Sequence, residues 1–111
     1  MRENQFQARL IKELKDLFPG CVVLKNDPNY LQGIPDLSVF YKDKWAWLET
    51  KRSRNASIRP NQEFYISQGD QMSFAKFICP ENKEEVLDEL QQAFQPRRKT
   101  RVSRSVEVPL D

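Results

Sequence analysis

The stretch GIPDLSVFYKDKWAWLETK, residues 33–51, decides the fold. It contains two strand-like apolar runs separated by Lys42-Asp43-Lys44, a pattern that predicts an antiparallel β-hairpin. Two acids occupy positions where strands are usually apolar, because Asp36 precedes the first run and Glu49 ends the second. With a two-residue loop at positions 42 and 43, Asp36 faces Glu49 directly. With a three-residue loop it faces Thr50 and needs a bulge after Pro35, so we favour the shorter loop or a distortion.

Two carboxylates this close together require a cation. They repel each other by about 4 kcal/mol at an effective dielectric of ~20. Glu49 and Lys51 are two residues apart and share one face of a strand, so the lysine is one candidate and a divalent metal is the other. The chain has no histidine, and hard carboxylate oxygens favour Mg²⁺ or Mn²⁺ over zinc. An ordinary surface hairpin with solvated charges is the alternative interpretation.

Length and composition predict a single soluble domain. The chain has 111 residues, of which 39% are hydrophobic and 31% charged, values that suit one compact core. The sequence contains no apolar run that could span a bilayer and no secretory signal, so we expect no membrane partner and a cytoplasmic protein. Cys21 and Cys79 lie in apolar runs, which predicts buried, reduced thiols.

Basic charge is concentrated at the carboxyl end. Residues 96–111 carry five basic and two acidic side chains, whereas the rest of the chain carries 13 basic and 14 acidic ones. We therefore divide the chain into a domain, residues 1–95, and a basic, flexible tail, residues 96–111. The tail either binds a polyanion through Arg97, Arg98 and Lys99, or only keeps the protein soluble.

The apolar periodicity predicts an α/β protein of order α-β-β-β-α-β-α, with helices on the faces of a mixed four-stranded sheet. Helices are predicted over residues 3–18, 61–68 and 81–94, with the second stopping at Gly69, and the outer strands over residues 21–25 and 73–79. Because a helix precedes it, the last strand should lie parallel to the third, through a right-handed crossover.

Several further residues could serve the acidic pair. At 100° steps Glu3 falls in the middle of the apolar face of the first helix, which predicts that it points inward as another member of the cluster, although it could instead fray into water. Gln62, one turn into the second helix, could reach back to the site. The cations that could contact phosphates are Lys25, Arg52, Arg54 and Arg59.

Together these features resemble a known family. Gly33-Ile34-Pro35-Asp36, a gap of twelve residues, Glu49-Thr50-Lys51, an inward Glu3 and a downstream Gln62 resemble the PD-(D/E)XK nuclease superfamily. Within it the chain looks most like the small VRR-NUC domains, in particular the stand-alone versions found in bacteriophages, which would act in the host cytoplasm. The resemblance covers roughly residues 3–94 and implies a restriction-endonuclease-like αβββαβ core.

The resemblance also implies roles for the residues. Asp36 and Glu49 would hold one or two Mg²⁺ or Mn²⁺ ions, together with the backbone carbonyl of Thr50 and with Glu3, directly or through water. Lys51 would position and activate the attacking water. Gln62 would support the site from the second helix.

The expected activity is that of a metal-dependent DNA endonuclease. A body this short offers little surface for reading a long base sequence, so selectivity for branched, junction or flap DNA is expected over sequence selectivity. A homodimer with two sites is a further expectation from the resemblance. The alternatives are a noncatalytic nucleic-acid-binding module of the same fold, and an assembly factor whose tail docks on a partner.

Overall fold

The computed structural model describes residues 2–96, so the predicted tail contacts Arg97, Arg98 and Lys99 lie outside the described residues. The order of elements confirms the α/β prediction. In chain order, with their bounds, the elements are α1 (Glu3–Leu17), β1 (Val22–Lys25), β2 (Leu37–Tyr41), β3 (Lys44–Thr50), α2 (Pro60–Met72), β4 (Phe74–Ile78) and α3 (Lys83–Phe94).

The four strands form one mixed sheet in the order β1-β2-β3-β4. The first two neighbouring pairs are antiparallel and β3 lies parallel to β4, as the intervening helix predicts. Tyr41 pairs with Lys44 and Leu37 pairs with Leu48, which confirms the two-residue loop. Lys42, the first loop residue, has a φ of 56°, a positive value of the kind that tight hairpin turns use. This register, continued by one residue, sets Asp36 opposite Glu49.

The two faces of the sheet are covered by different helices. Alternate residues of β2 and β3, such as Val39 and Leu48, pack into a buried core with α1 and α3. Phe18, Tyr41 and Phe94 form an aromatic cluster at one end of that core, with ring centroids 5.1–5.9 Å apart. The intervening residues of β3 face α2. The hairpin is thereby held from both sides, and its open end is free to carry polar groups.

The second helix does not stop at Gly69 as the sequence predicts. It continues to Met72, and Gly69 is buried within it. A Cβ at this position would lie 2.6 Å from Cε3 of Trp47 and 2.9 Å from the Cβ of Ala75. The glycine is therefore needed for the close approach of α2 to the sheet and does not terminate the helix.

Replacing Gly69 with Ala should destabilise the protein by about 1–3 kcal/mol, because overpacking against Trp47 outweighs the gain in helix propensity of about 1 kcal/mol. Thermal unfolding followed by circular dichroism measures this. Gln68→Ala, an exposed neighbour in the same helix, is the matched control and should be neutral or slightly stabilising. A Gly69→Ala protein as stable as the control would contradict the packing argument.

Both cysteines are free, and Cys79 is buried as predicted, whereas Cys21 is only half-buried. The last helix begins at Lys83, two residues later than expected. Within residues 2–96, none of the helices combines the length and the apolar character needed to cross a membrane.

Candidate active site and metal centre

At the open end of the hairpin, backbone N–H groups link the two carboxylates to the opposite strands. The N–H of Asp36 donates to Oε1 of Glu49 at 3.0 Å. The Oδ2 atom of Asp36 in turn accepts from the N–H of Thr50 at 3.0 Å and from its hydroxyl at 2.6 Å. Each acid is thus fixed by the strand that carries the other, so the relative position of the two carboxylates follows from the register.

The Thr50 carbonyl is left without a ladder partner by the proline of the motif. The register, continued by two residues, places Thr50 opposite Pro35, which has no N–H to donate. The N–H of Lys51 donates to Ile78 on β4, so by alternation the N–H and carbonyl of Thr50 are directed toward β2. The Thr50 N–H donates to the Asp36 carboxylate, and the Thr50 carbonyl oxygen has no backbone N–H donor at position 35. This is the carbonyl predicted as a metal ligand.

Glu49 is connected to Lys51 through Gln62. The Gln62 Nε2 donates to Oε2 of Glu49 at 2.9 Å, and its Oε1 accepts from Nζ of Lys51 at 2.9 Å. The lysine Nζ also donates to the backbone carbonyl of Ser57 at 3.0 Å and lies 3.7 Å from Oε2 of Glu49. The ammonium group is therefore held in place beside the acidic pair.

Burial makes the acidic pair electrostatically costly. Glu49 is only 4% exposed. Burial and, after it, the negative charge of Asp36 raise the pKa of Glu49 to about 7, although Lys51 and the Asp36 N–H act in the opposite direction. At and above neutral pH the site therefore needs more positive charge than the lysine supplies.

Glu3 does not point inward as the helical periodicity predicts. It is exposed, and Phe6 is the first buried residue of α1. Partial burial and the charge of Asp36 nevertheless raise the pKa of Glu3, so it lies within electrostatic reach of the pair. Among residues 2–96, no three His, Cys, Asp or Glu side chains form a group that could hold a metal ion. Glu3 thus lies at the rim of the site and does not join the pair as a third carboxylate.

The donor set still fits a hard divalent cation. It comprises two carboxylates that repel each other and one carbonyl oxygen without a ladder partner, all of them oxygen ligands. Mg²⁺ in particular is commonly bound through one or two carboxylates while keeping several waters. The residues that would hold the ion are Asp36, Glu49 and Thr50, with Glu3 reaching it through water.

The predicted phosphate-binding cations are only partly brought to the site. Arg52 lies with Glu3 on an open groove, and Arg59 lines a cavity that also contains the acidic pair. Arg54 lines a separate cavity behind Lys51. Lys25 pairs with Leu37, so alternation directs its side chain to the face opposite that of Asp36.

Sequence reasoning missed three contributors. Gln7 of α1 donates to the Thr50 hydroxyl at 3.1 Å, and the side chain of Asn26 donates to the Pro35 carbonyl at 2.8 Å. Gln7 lies one helical turn after Glu3, a spacing that could have indicated it. The third contributor, the Ser57 carbonyl, is a backbone group and leaves no signal in the sequence.

Replacing Pro35 with Ala should weaken metal binding by about tenfold, because the new N–H competes for the Thr50 carbonyl. Calorimetric titration with Mn²⁺ measures the change. Pro28→Ala, in the loop that precedes the site, is the control and should bind Mn²⁺ as the unaltered protein does. Equal affinities for both variants would remove Thr50 from the ligand set.

Comparisons of the chain with protein-family models, with curated proteins and with solved structures found no match.

Proposed function

We propose that the protein is a metal-dependent endonuclease of the PD-(D/E)XK type, with a restriction-endonuclease-like core and a VRR-NUC-like site. One observation supports this above the others. Asp36, Glu49, Lys51 and Gln62 form one hydrogen-bonded cluster at the end of the hairpin. A domain that only binds DNA gains nothing from buried carboxylates, since they repel the phosphates.

The chemistry assigned to this cluster is hydrolysis of a phosphodiester. A Mg²⁺ or Mn²⁺ ion bound here would acidify water and neutralise charge on the phosphate. The protein's part is to hold the oxygen ligands at fixed positions, so that no reorganisation is needed when charge develops.

Lys51 is the fixed cation of the reaction. Its Nζ contacts Gln62, Ser57 and Glu49 and cannot swing away without losing these partners. Held there, it orients the attacking water and stabilises the extra negative charge on the pentavalent phosphorus. The new bond to the water oxygen forms as the bond to the leaving oxygen breaks; the attacking water releases a proton to solvent, and the leaving oxygen takes one up.

The proposed substrate is DNA, gripped through its phosphates by exposed arginines such as Arg52 and Arg59. The small body favours selectivity for a junction, flap or branch over a base sequence. Two copies acting as a homodimer would cut two strands. We also propose that the protein acts in the cytoplasm of a phage-infected host.

The direct test is incubation with supercoiled plasmid, a flap and a four-way junction, each with Mg²⁺, with Mn²⁺ and with EDTA. Cleavage in either metal that is lost in EDTA supports the proposal. Binding without cutting in any metal supports the alternative, a noncatalytic nucleic-acid-binding module that uses Arg52 and Arg59. No binding at all would favour an assembly role.

Replacing Lys51 with Ala should slow cleavage by about tenfold to a hundredfold and leave Mn²⁺ affinity nearly unchanged, because the lysine supplies charge and no ligand. Glu49→Ala should weaken both. Cleavage rates and calorimetric Mn²⁺ titration separate these effects. Lys76→Ala, on the neighbouring strand and paired with Asp70, is the matched control. An equal loss of metal binding in Lys51→Ala and Glu49→Ala would refute this division of roles.

A further inference from the structure

A cavity of about 250 Å³ adjoins the acidic pair. It lies between the loop that joins β1 to β2 and the beginning of α2, with Asp36 and Glu49 among its lining. The rest of its wall includes Arg59 and four primary amides, of which Gln62 already contacts Glu49 and Lys51. The other three amides, from Asn29, Gln32 and Asn61, take part in none of the metal or lysine contacts described above.

The loop wall of the cavity is held by its own hydrogen bonds. The N–H of Asn29 donates to Oδ1 of Asp27 at 2.9 Å, and the N–H of Tyr30 donates to the Asp27 carbonyl at 3.1 Å. Farther along, Gly33 has a φ of +91°, and a Cβ there would lie 2.7 Å from Cγ of Asn61. The loop therefore packs directly on α2 at Gly33.

The lining chemistry favours a nucleobase over an anion. A primary amide offers donors and an acceptor together, which is the pattern that base edges present. Within the described part of the chain, no hydrogen bond engages the side-chain amides of Asn29, Gln32 or Asn61. The two carboxylates in the lining outnumber its one cation, Arg59, and so disfavour a second bare phosphate, while Pro28 and Ile34 provide apolar surface for a ring.

The size of the cavity agrees with that occupant. At about 250 Å³ it has room for a single base. A base inside a duplex must first be unpaired and unstacked to enter, whereas an unpaired base leaves the stack at a smaller cost.

We propose that this cavity receives the base of an unpaired nucleotide beside the phosphate that is cleaved. This inference rests on the proposed nuclease function and narrows its substrate class to DNA with an unpaired nucleotide at the cleavage position. The exposed ring of Tyr30, 89% accessible on the same loop, is placed to stack on a neighbouring base.

The test compares three DNA duplexes that differ at a single position. One is fully paired, one has a single unpaired nucleotide, and one has an abasic residue in place of that nucleotide. Affinities are measured by fluorescence anisotropy in Ca²⁺, which takes the same oxygen ligands, under conditions where no cleavage is detected. The DNA with the unpaired base should bind roughly tenfold more tightly than the abasic DNA, which keeps the phosphate but lacks the base.

Two variants locate the base. Asn29→Ala and Gln32→Ala alter exposed side chains and should reduce the ratio of the two affinities toward one. Gln92→Ala, an exposed glutamine on α3 on the other face of the sheet, should keep the ratio of the unaltered protein. Circular dichroism confirms that all three variants are folded.

Equal binding of the base-bearing and abasic duplexes by the unaltered protein would overturn the inference, and is what a cavity for phosphate would give. A preference that survives both loop variants would overturn it as well, because the base would then lie elsewhere. Failure of the nuclease proposal has a different outcome, namely preference for the unpaired base without cleavage in Mg²⁺ or Mn²⁺. Cleavage without that preference would remove only the cavity assignment.

Discussion

Replacing Asp36 with Asn should lower Mg²⁺-dependent DNA cleavage by roughly a thousandfold and leave the protein folded. The amide keeps the shape of the side chain but loses the negative charge that a hard cation requires. It also relieves the repulsion with buried Glu49, so the metal-free variant should be at least as stable as the unaltered protein. Cleavage of a labelled flap substrate gives the rate, and thermal unfolding in EDTA gives the stability.

The matched control for this prediction is Asp43→Asn, the same change in the loop at the opposite end of the hairpin. The Asp43 side chain is 87% exposed, and its only ion pair is with the adjacent Lys44 among the residues that the structure describes. Cleavage and stability should both remain unchanged. Retention of metal-dependent cleavage in Asp36→Asn, with the control unaffected, would refute the assignment of Asp36 as a metal ligand.

In EDTA, the contribution of Glu49 to the free energy of unfolding should fall by about 3 kcal/mol as the pH rises from 4.5 to above 7. The pKa of this carboxyl is raised from 4.5 to about 7 in the folded protein. Between pH 4.5 and about 7, Glu49 has already lost its proton in the unfolded chain but keeps it in the folded protein. Above a pH of about 7 the folded protein must carry a buried charge on Glu49, so the stabilisation present at low pH is lost. Urea unfolding across this pH range measures the effect.

Mn²⁺ should reverse this loss, because at the proposed metal site it would bind the ionised carboxylate and stabilise only the folded protein. The gain in stability on adding the metal should therefore be larger at pH 8 than at pH 5. Glu49→Gln, which does not titrate, isolates the contribution and should show a flatter pH profile in EDTA. A variant profile parallel to that of the unaltered protein would mean that another group causes the pH dependence.

The hairpin could be predicted from sequence almost completely. The loop at Lys42 and Asp43 is short, and the side-chain period of two then leaves only one register that buries Val39 and Leu48 together. That register sets Asp36 opposite Glu49. The central part of the candidate site therefore follows from local pattern and from counting residues between the two acids.

The prediction that α2 ends at Gly69 and the prediction that Glu3 points inward were wrong for a common reason. Helical periodicity gives the face on which a residue lies but not how far the neighbouring layer extends. Gly69 would end a helix in isolation, yet the ring of Trp47 needs the space that a side chain would take. Periodicity assigns Glu3 to the apolar face of α1, but the core begins only at Phe6, and Glu3 is left exposed at the first turn.

The surroundings of Lys51 could be predicted from sequence only in part. Gln62 reaches the site from α2 as the sequence predicts, whereas the other partner is the backbone carbonyl of Ser57, in a polar loop without periodicity. Contacts of this kind arise from the tertiary arrangement, and the residue types alone do not encode them.

The position of Pro35, opposite Thr50 when the hairpin register is continued by two residues, has a consequence for protein engineering. The Thr50 carbonyl is available as an acceptor because Pro35 has no N–H to donate to it. No additional side chain is needed to provide this oxygen. The same device could be transferred to other scaffolds, by substituting proline opposite a chosen residue at the end of an antiparallel ladder and adding one acid to each strand. A simple two-stranded ribbon would then present three oxygen atoms at a common point.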